Sequence, residues 1–184
     1  MGQIKNINNI TPIILAAGFG SRLGSDVLIP KCLLEIKKIT LIEYLLNYLI
    51  IIGFKEVNVI VGYKKSKIKN KLIKYKNKIE INYIYNDKYR VSGHGYSLFK
   101  FLETKKINKD ILIIHGDLFF EKQIIDNVLN SLFKNIISVD KFFNVYTNDE
   151  MVVSGKKNKV LNICKIDQIS KNIVGEIVGI NKWS

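Results

Sequence analysis

The sequence predicts an α/β protein, a three-layer α/β/α sandwich around a Rossmann-like mixed sheet with a β region appended. Three observations predict it. Short β-branched apolar runs alternate with amphipathic helical stretches from residue 11 to residue 133, the pattern of strand–helix–strand units. From Asn135 the texture changes to short strands with no helix between them. At 184 residues, 47% of them hydrophobic, the chain has enough apolar material for one domain with its own core.

The elements follow in order. The first strand, residues 11–16, ends in small residues and a turn, Gly18-Phe19-Gly20-Ser21-Arg22. A short strand is expected over residues 33–36. Thr40-Leu41-Ile42-Glu43 has the form of a capping box, in which the Thr hydroxyl and the Glu carboxylate each satisfy the other's backbone N–H. It opens a helix that stops at Gly53. Residues 56–61 (EVNVIV) are β-branched and read as a buried strand, closed by Gly62-Tyr63. A lysine-rich helix over residues 66–75, a strand over 79–85, a loop over 86–95 and a helix over 96–104 come next. The strand at 111–114 delivers His115-Gly116-Asp117, and residues 123–133 form the last helix. Short strands follow at 136–139, 151–153, 160–165 and 173–180. In an open α/β sheet a ligand binds at the carboxyl ends of the strands. The glycine turn and Asp117 both fall at such ends.

Composition removes several classes. The net charge of +13 invites a nucleic-acid partner. The cations are scattered, however, and the one dense run, from Lys64 to Lys78, has helical spacing and reads as a solvated face. No nucleic acid is expected, although a positive field favours recruitment of a nucleoside triphosphate. Cys32 and Cys164 lie far apart and make no metal spacing, so a reduced, cytoplasmic compartment is expected. The longest apolar stretch, residues 41–52, carries Glu43 and Asn47 and is too short for a bilayer, so no membrane partner is expected. No signal peptide is read before the first strand. Asn6 stands where a myristoylation signal wants Ser or Thr.

Residues 15–34, LAAGFGSRLGSDVLIPKCLL, carry the strongest functional signal. A buried strand opening into a glycine-rich loop offers backbone N–H groups with no side chains in the way, so phosphate oxygens can approach. Arg22, one of only two arginines beside 27 lysines, adds a forked cation suited to a polyphosphate, and Lys31 adds a point charge. The loop is not a dinucleotide fingerprint, because Leu23 takes the place of the third glycine. Nor is it a P-loop, which needs GK[ST] at the helix start. Asp117 suits a hard divalent cation shared with phosphates. An ordinary turn aspartate after glycine is the competing reading.

The segment resembles the LAAGxGxRL…PKxLL signature of the sugar-phosphate and phosphocholine nucleotidyltransferases. That resemblance implies a sheet of the GT-A-like nucleotidyltransferase type. It implies that Leu15, Ala16, Ala17, Gly18, Phe19, Gly20, Ser21 and Arg22 bind the nucleotide, with Lys31, Gly62 and Ser97 beside them. By the family's (G/A)D motif, Asp117 binds Mg²⁺. The loop NDKYRVSGHGYSL resembles the N-x-x-Y…YSL pattern of phosphocholine cytidylyltransferases, with Gly93 and His94 where those carry asparagines. Tyr89, His94 and Tyr96 are therefore candidates for acceptor or base contacts. An exposed loop histidine is the alternative for His94. General-base work is not expected of it, since a phosphate or phosphonate nucleophile is already anionic.

The second half matches the order VD…DEMxV…xxK…GExxGI, at Val139-Asp140, residues 149–153, Lys165 and residues 175–180. This resembles the acceptor half of the phosphocholine branch. Lys165 would then touch phosphate and Glu176 would face the acceptor, and Arg22, Lys31 and Lys165 would be the catalytic cations. Family members usually continue past the position of Ser184, in a tail that holds a second metal-binding carboxylate. The expectation is a single nucleotidyltransferase domain over residues 1–184 without that tail, its second carboxylate sought in Asp140 or Glu176. A truncated product and a non-catalytic paralogue stay open.

The resemblance thus implies transfer of a nucleoside monophosphate, CTP preferred as donor, to a small phosphorylated acceptor such as phosphocholine or a phosphonate. Pyrophosphate is released, and Mg²⁺ is the cofactor. The product would feed cell-surface polysaccharide or lipid precursor synthesis. A sugar 1-phosphate acceptor and a degenerate nucleotide-binding module are the alternatives, and a homodimer is left open.

Overall fold

The computed structural model describes residues 7–18, 20, 29–142, 150–169 and 171–184. In chain order the described elements begin with β1 (Ile10–Ala16), the hairpin strands β2 (Glu35–Ile36) and β3 (Ile39–Thr40), helix α1 (Leu41–Ile52) and β4 (Glu56–Val61). Next come α2 (Lys65–Leu72), β5 (Glu80–Tyr85), α3 (His94–Thr104), β6 (Asp110–His115) and α4 (Gln123–Asn130). The last are β7 (Ile136–Asp140), β8 (Met151–Lys156), β9 (Lys159–Lys165) and β10 (Ile173–Trp183). Among the described residues, no helix is long and apolar enough to cross a membrane.

The main sheet runs β5-β4-β1-β6-β10-β8-β9, with β7 also paired to β10. The pairs β5–β4, β4–β1 and β1–β6 are parallel, and β10 turns antiparallel against β6. Every residue of β1 is buried, as befits a strand with helices on both faces. Its alternation splits the core in two. Ile14 and Ala16 pack with Val57, Val59 and Val61 of β4 against α1, α2 and α4. Ile13 and Leu15 point the other way, with Ile60 and Ile113, onto Phe101 of α3. The expected three layers and appended β region are therefore present.

The capping box forms as expected. Thr40 Oγ1 accepts from the Glu43 N–H, and Glu43 Oε2 accepts from the Thr40 N–H at 3.0 Å and its hydroxyl at 2.7 Å. Gly53 ends α1 in the left-handed region, at φ +107°. Several boundaries differ from expectation: α2 ends at Leu72 rather than 75, β8 runs on to Lys156 and β10 to Trp183. Residues 31–33 form a 3-10 turn, so the strand expected over 33–36 shrinks to β2, which pairs with β3 across Lys37-Lys38. Both lysines sit at positive φ, 49° and 68°, where Gly or Asn would usually announce a hairpin. Helix α3 starts at His94 rather than 96, since Gly93 is its N-cap. Helix α4 ends at Asn130, its C-cap Ser131 already extended.

Candidate functional site

The chain passes from β1 to β4 to β5 in one direction across the sheet, then returns to lay β6 on the other flank of β1. The loops leaving β1 and β6 therefore part company at the carboxyl edge and leave a crevice, the topological switch point. Register makes it tight: Leu15 lies opposite His115, and the Gly116 N–H donates to the Leu15 carbonyl at 2.8 Å. The crevice is a cleft lined by Leu15, Ala16, Gly18, Pro30, Lys31, Cys32, His94 and Asp117. Residues a hundred positions apart are thus brought to one place by strand pairing alone.

Within the cleft, Asp117 is solvent-exposed and Lys31 is half-buried. The aliphatic stem of Lys31 lies along Gly20: a side chain on that glycine would come within 3.3 Å of the lysine Cγ and Cε. Gly20 also holds φ +72°, a left-handed conformation that favours glycine. Burial pushes the Cys32 thiol up to about 12, with the Asp117 charge adding to it, so Cys32 is an inert wall. The ring of His94 meets that of His115, centroids 4.1 Å apart and tilted by 54°. Burial, and next the neighbouring His94, pulls His115 down to about 4. Burial also lowers His94 from its ordinary value, against the opposing pull of Asp117 and with Lys31 helping. His94 is exposed and His115 half-buried.

The remaining sequence candidates fall into three groups. Phe19, Ser21 and Arg22 lie outside the described residues. Ala17, Gly62, Tyr89, Tyr96 and Ser97 sit beside the cleft without lining it. A side chain on Gly62 would lie 2.6 Å from the Ala17 carbonyl and against Tyr89, so this glycine lets Tyr89 close onto the end of β4. The Ser97 hydroxyl is turned inward, accepting from buried Asn86 Nδ2 at 2.9 Å; the same amide donates to Ser92 Oγ at 3.2 Å. Asn86 thereby ties the loop that carries Tyr89 to the first turn of α3, which begins at His94. The Tyr96 hydroxyl donates to Asp87 at 3.1 Å.

Lys165 and Glu176 belong to the β region and do not line the cleft around Asp117. Lys165 ends β9, exposed, opposite Met151. Glu176 lies opposite Asp140 of β7 and Val152 of β8. Burial, then Glu150 and Asp140, pushes its carboxyl above the usual range. Neither Asp140 nor Glu176 is among the residues that line the Asp117 cleft. Among the described residues, no group of three or more His, Cys, Asp or Glu side chains converges on a metal position. Sequence reasoning missed His115, Cys32 and Pro30. The signal for His115 was its place two residues before Asp117 at the end of an apolar strand.

The chain matches the MobA-like NTP transferase domain over residues 12–164. It is 33% identical over 140 residues to a CTP:phosphoglutamine cytidylyltransferase of Campylobacter jejuni, covering 70% of this chain and 52% of that one. The chain thus spans about half the length of that relative. It is 30% identical over 176 residues to a choline-phosphate cytidylyltransferase of Streptococcus pneumoniae, covering 93% of this chain and 69% of that one. The inositol-1-phosphate CTP transferase of T. maritima superposes with a TM-score of 0.76 at 20% identity, over all of this chain and 71% of that one. The last likeness bears on fold, which is the GT-A-like mixed sheet of the nucleotidyltransferases. A match that runs from the third residue of the buried first strand to the last but one of β9, enclosing the glycine loop, Lys31 and Asp117, makes this chain a member of the MobA-like NTP transferase domain family.

Proposed function

We propose that the protein is a cytidylyltransferase that moves CMP from CTP to a small phosphorylated acceptor and releases pyrophosphate. The observation that carries it is the convergence of Gly18, Lys31 and Asp117 in one cleft at the switch point. Likeness to cytidylyltransferases named for phosphocholine and phosphoglutamine supports the choice of CTP. An acceptor phosphate oxygen attacks the α-phosphorus in line. A P–O bond forms as the bond to pyrophosphate breaks. The nucleophile is already anionic, so no general base is needed, and the protein's work is orientation and charge neutralisation. Backbone N–H groups of the glycine loop hold phosphate oxygens, Lys31 offsets their charge, and Arg22 supplies a forked contact to the triphosphate.

The donor set fits Mg²⁺ in one form, an ion carried mainly by the triphosphate and water. Asp117 is the single carboxylate among the described cleft-lining residues, and Mg²⁺ characteristically keeps several waters and takes one or two carboxylates. Asp117 would hold it, and the ion would supply neutralisation of phosphate charge. Lys165 and Glu176 belong to acceptor binding in this reading. Turnover takes place in the cytoplasm, where CTP is at hand.

The test is a pyrophosphate-release screen of the four nucleoside triphosphates against phosphocholine, phosphoethanolamine, aminoethylphosphonate and hexose 1-phosphates, with and without Mg²⁺. Release with CTP and a non-sugar acceptor is expected. Release only with a hexose 1-phosphate moves the protein to nucleotide-sugar synthesis. Triphosphate binding with no release under any pairing makes it a binding module.

A further inference from the structure

Two rings and a glycine meet behind the cleft. His115 closes β6, half-buried, two residues before Asp117. One neighbour is the His94 ring at the start of α3, at a centroid distance of 4.1 Å. The other is β10, where a side chain on Gly179 would lie 2.6 Å from His115 Cγ and Nδ1. Gly179 holds φ +88°, and the register of β10 against β7 slips between Ile177 and Asn181, so the strand's irregularity falls where it meets the ring. Bulges next to a site commonly re-aim what the strand presents to it.

His94 lines the same cleft as Gly18, Lys31 and Asp117. Its neighbours in sequence are Gly93 and Gly95, which have no side chains to hold a rotamer, and open space surrounds both. Gly93 caps α3 with no side-chain hydrogen bond. What fixes the His94 ring therefore comes from another element, and the structure supplies one candidate, the face of His115. An imidazole offers at least one N–H donor in either protonation state. A donor held in place before binding loses less rotamer freedom when a ligand arrives.

We propose that His115 is a positioning residue: packed on the backbone of Gly179, its ring holds the His94 imidazole at the cleft, where His94 donates a hydrogen bond to a phosphate oxygen of the bound nucleoside triphosphate. This rests on the nucleotidyl-transfer reading above. It also gives the second glycine of the GExxGI pattern a physical task, since a side chain at 179 would drive His115 into His94.

The chain has two histidines, so the imidazole proton spectrum reads the stack directly. In ligand-free protein, His115→Ala moves the His94 ring protons toward their solvent-exposed positions, and His115→Phe keeps them displaced by ring current. Calorimetric titration with CTP and Mg²⁺ then gives a loss of about five- to tenfold for His115→Ala, the scale of one misplaced hydrogen bond. His115→Phe, which keeps the ring and lacks the nitrogens, stays within about twofold of wild type on the same scale. Gly179→Ala crowds the ring without removing it and gives a comparable loss, which covers the case of an unfolded His115→Ala. Unmoved His94 resonances in His115→Ala overturn the proposal, as does His115→Phe binding as weakly as His115→Ala. A wild-type protein that binds no nucleoside triphosphate removes the nucleotidyl-transfer reading and this proposal with it, and that shows in the first titration.

Discussion

The two halves of the sheet solve different problems. In the parallel half, β5-β4-β1-β6, the inner strands β4, β1 and β6 are largely buried, registers run without interruption and the loops at the carboxyl edge carry the cleft. In the antiparallel half, β10 pairs β7 and β8 through shifted registers, and β9 shows Val160, Leu161 and Ile163 to solvent. The first half is built for precision, with the reacting groups placed by backbone pairing. The second presents charge and irregular backbone, Lys165 and the Asp140–Glu150–Glu176 carboxylates among them. On the function proposed above, a regular scaffold would hold the nucleotide and an irregular region would vary the acceptor, a division of labour that lets one fold serve many substrates.

The largest expected difference between the halves is catalytic. Asp117→Asn keeps side-chain volume and removes the charge, and should lower turnover by on the order of a hundredfold or more, the scale for a group that acts on developing charge. Lys165→Ala, in the other half, should raise the acceptor KM and leave CTP affinity within about twofold. Steady-state kinetics on both variants, with melting curves to confirm folding, check this. Equal effects of the two on CTP affinity would erase the proposed division.

Stability should divide the same way. Ile14 is fully buried between β4 and the helices. Ile14→Ala should cost about 3–4 kcal/mol, the lost transfer energy plus a cavity that a two-sided core cannot collapse. Leu161 is 62% exposed on β9, and Leu161→Ala should cost under about 0.5 kcal/mol. Urea unfolding with unchanged slopes would measure both.

The same contrast decides what could be read from the chain. Strands β1, β4 and β6 announce themselves as short apolar runs rich in β-branched residues, and Thr40–Glu43 announces α1, because in each case the physics is local. Gly20 and Gly62 could be singled out as glycines, but only the fold shows that one makes room for Lys31 and the other for Tyr89. The β2–β3 hairpin was not legible, since its turn uses two lysines at positive φ. His115 stood in the sequence only as the residue delivered with Gly116 and Asp117 after the strand at 111–114; its partner Gly179 lies 64 positions away and meets it through β10. Lys165 and Glu176 were singled out by pattern; their separation from the Asp117 cleft depends on how β10 divides its pairing between β6, β7 and β8.

A third expectation concerns pH and the parallel half. Glu43 is 1% exposed. Burial alone would raise its carboxyl, but hydrogen bonds from Lys74 and Thr40, with Lys71 nearby, hold it down at about 2. Its folded value lies below the ordinary 4.5, so its stabilisation is complete above that pH and is lost as pH falls toward 2. Glu43→Gln should cost about 1–3 kcal/mol at neutral pH and flatten stability against pH in that window. Thermal melts from pH 6 to pH 2 would show it, and parallel curves for wild type and variant would refute it.

The smallest effect has the opposite sign and comes from the antiparallel half. Glu176 is pushed above the usual carboxylate range by burial and by the neighbouring charges of Glu150 and Asp140. Its folded value lies above its unfolded one, so the unfolded chain gives up this proton more readily, and the ionised group works against folding at neutral pH. That penalty should lift as pH falls through the raised value, where Glu43 still contributes in full. Glu176→Gln is nearly isosteric and removes the like-charge crowding, so it should raise the melting temperature at pH 7 by up to about 2 °C and by less at pH 4. A carboxylate retained at a cost to stability is expected to serve function. The same variant should therefore raise the KM for an acceptor with a cationic head, such as phosphocholine, more than for a neutral one. A lower melting temperature at pH 7 would show that Glu176 has a stabilising partner outweighing its acidic neighbours. A higher melting temperature with acceptor KM unchanged would leave the carboxylate cluster without a part in acceptor selection.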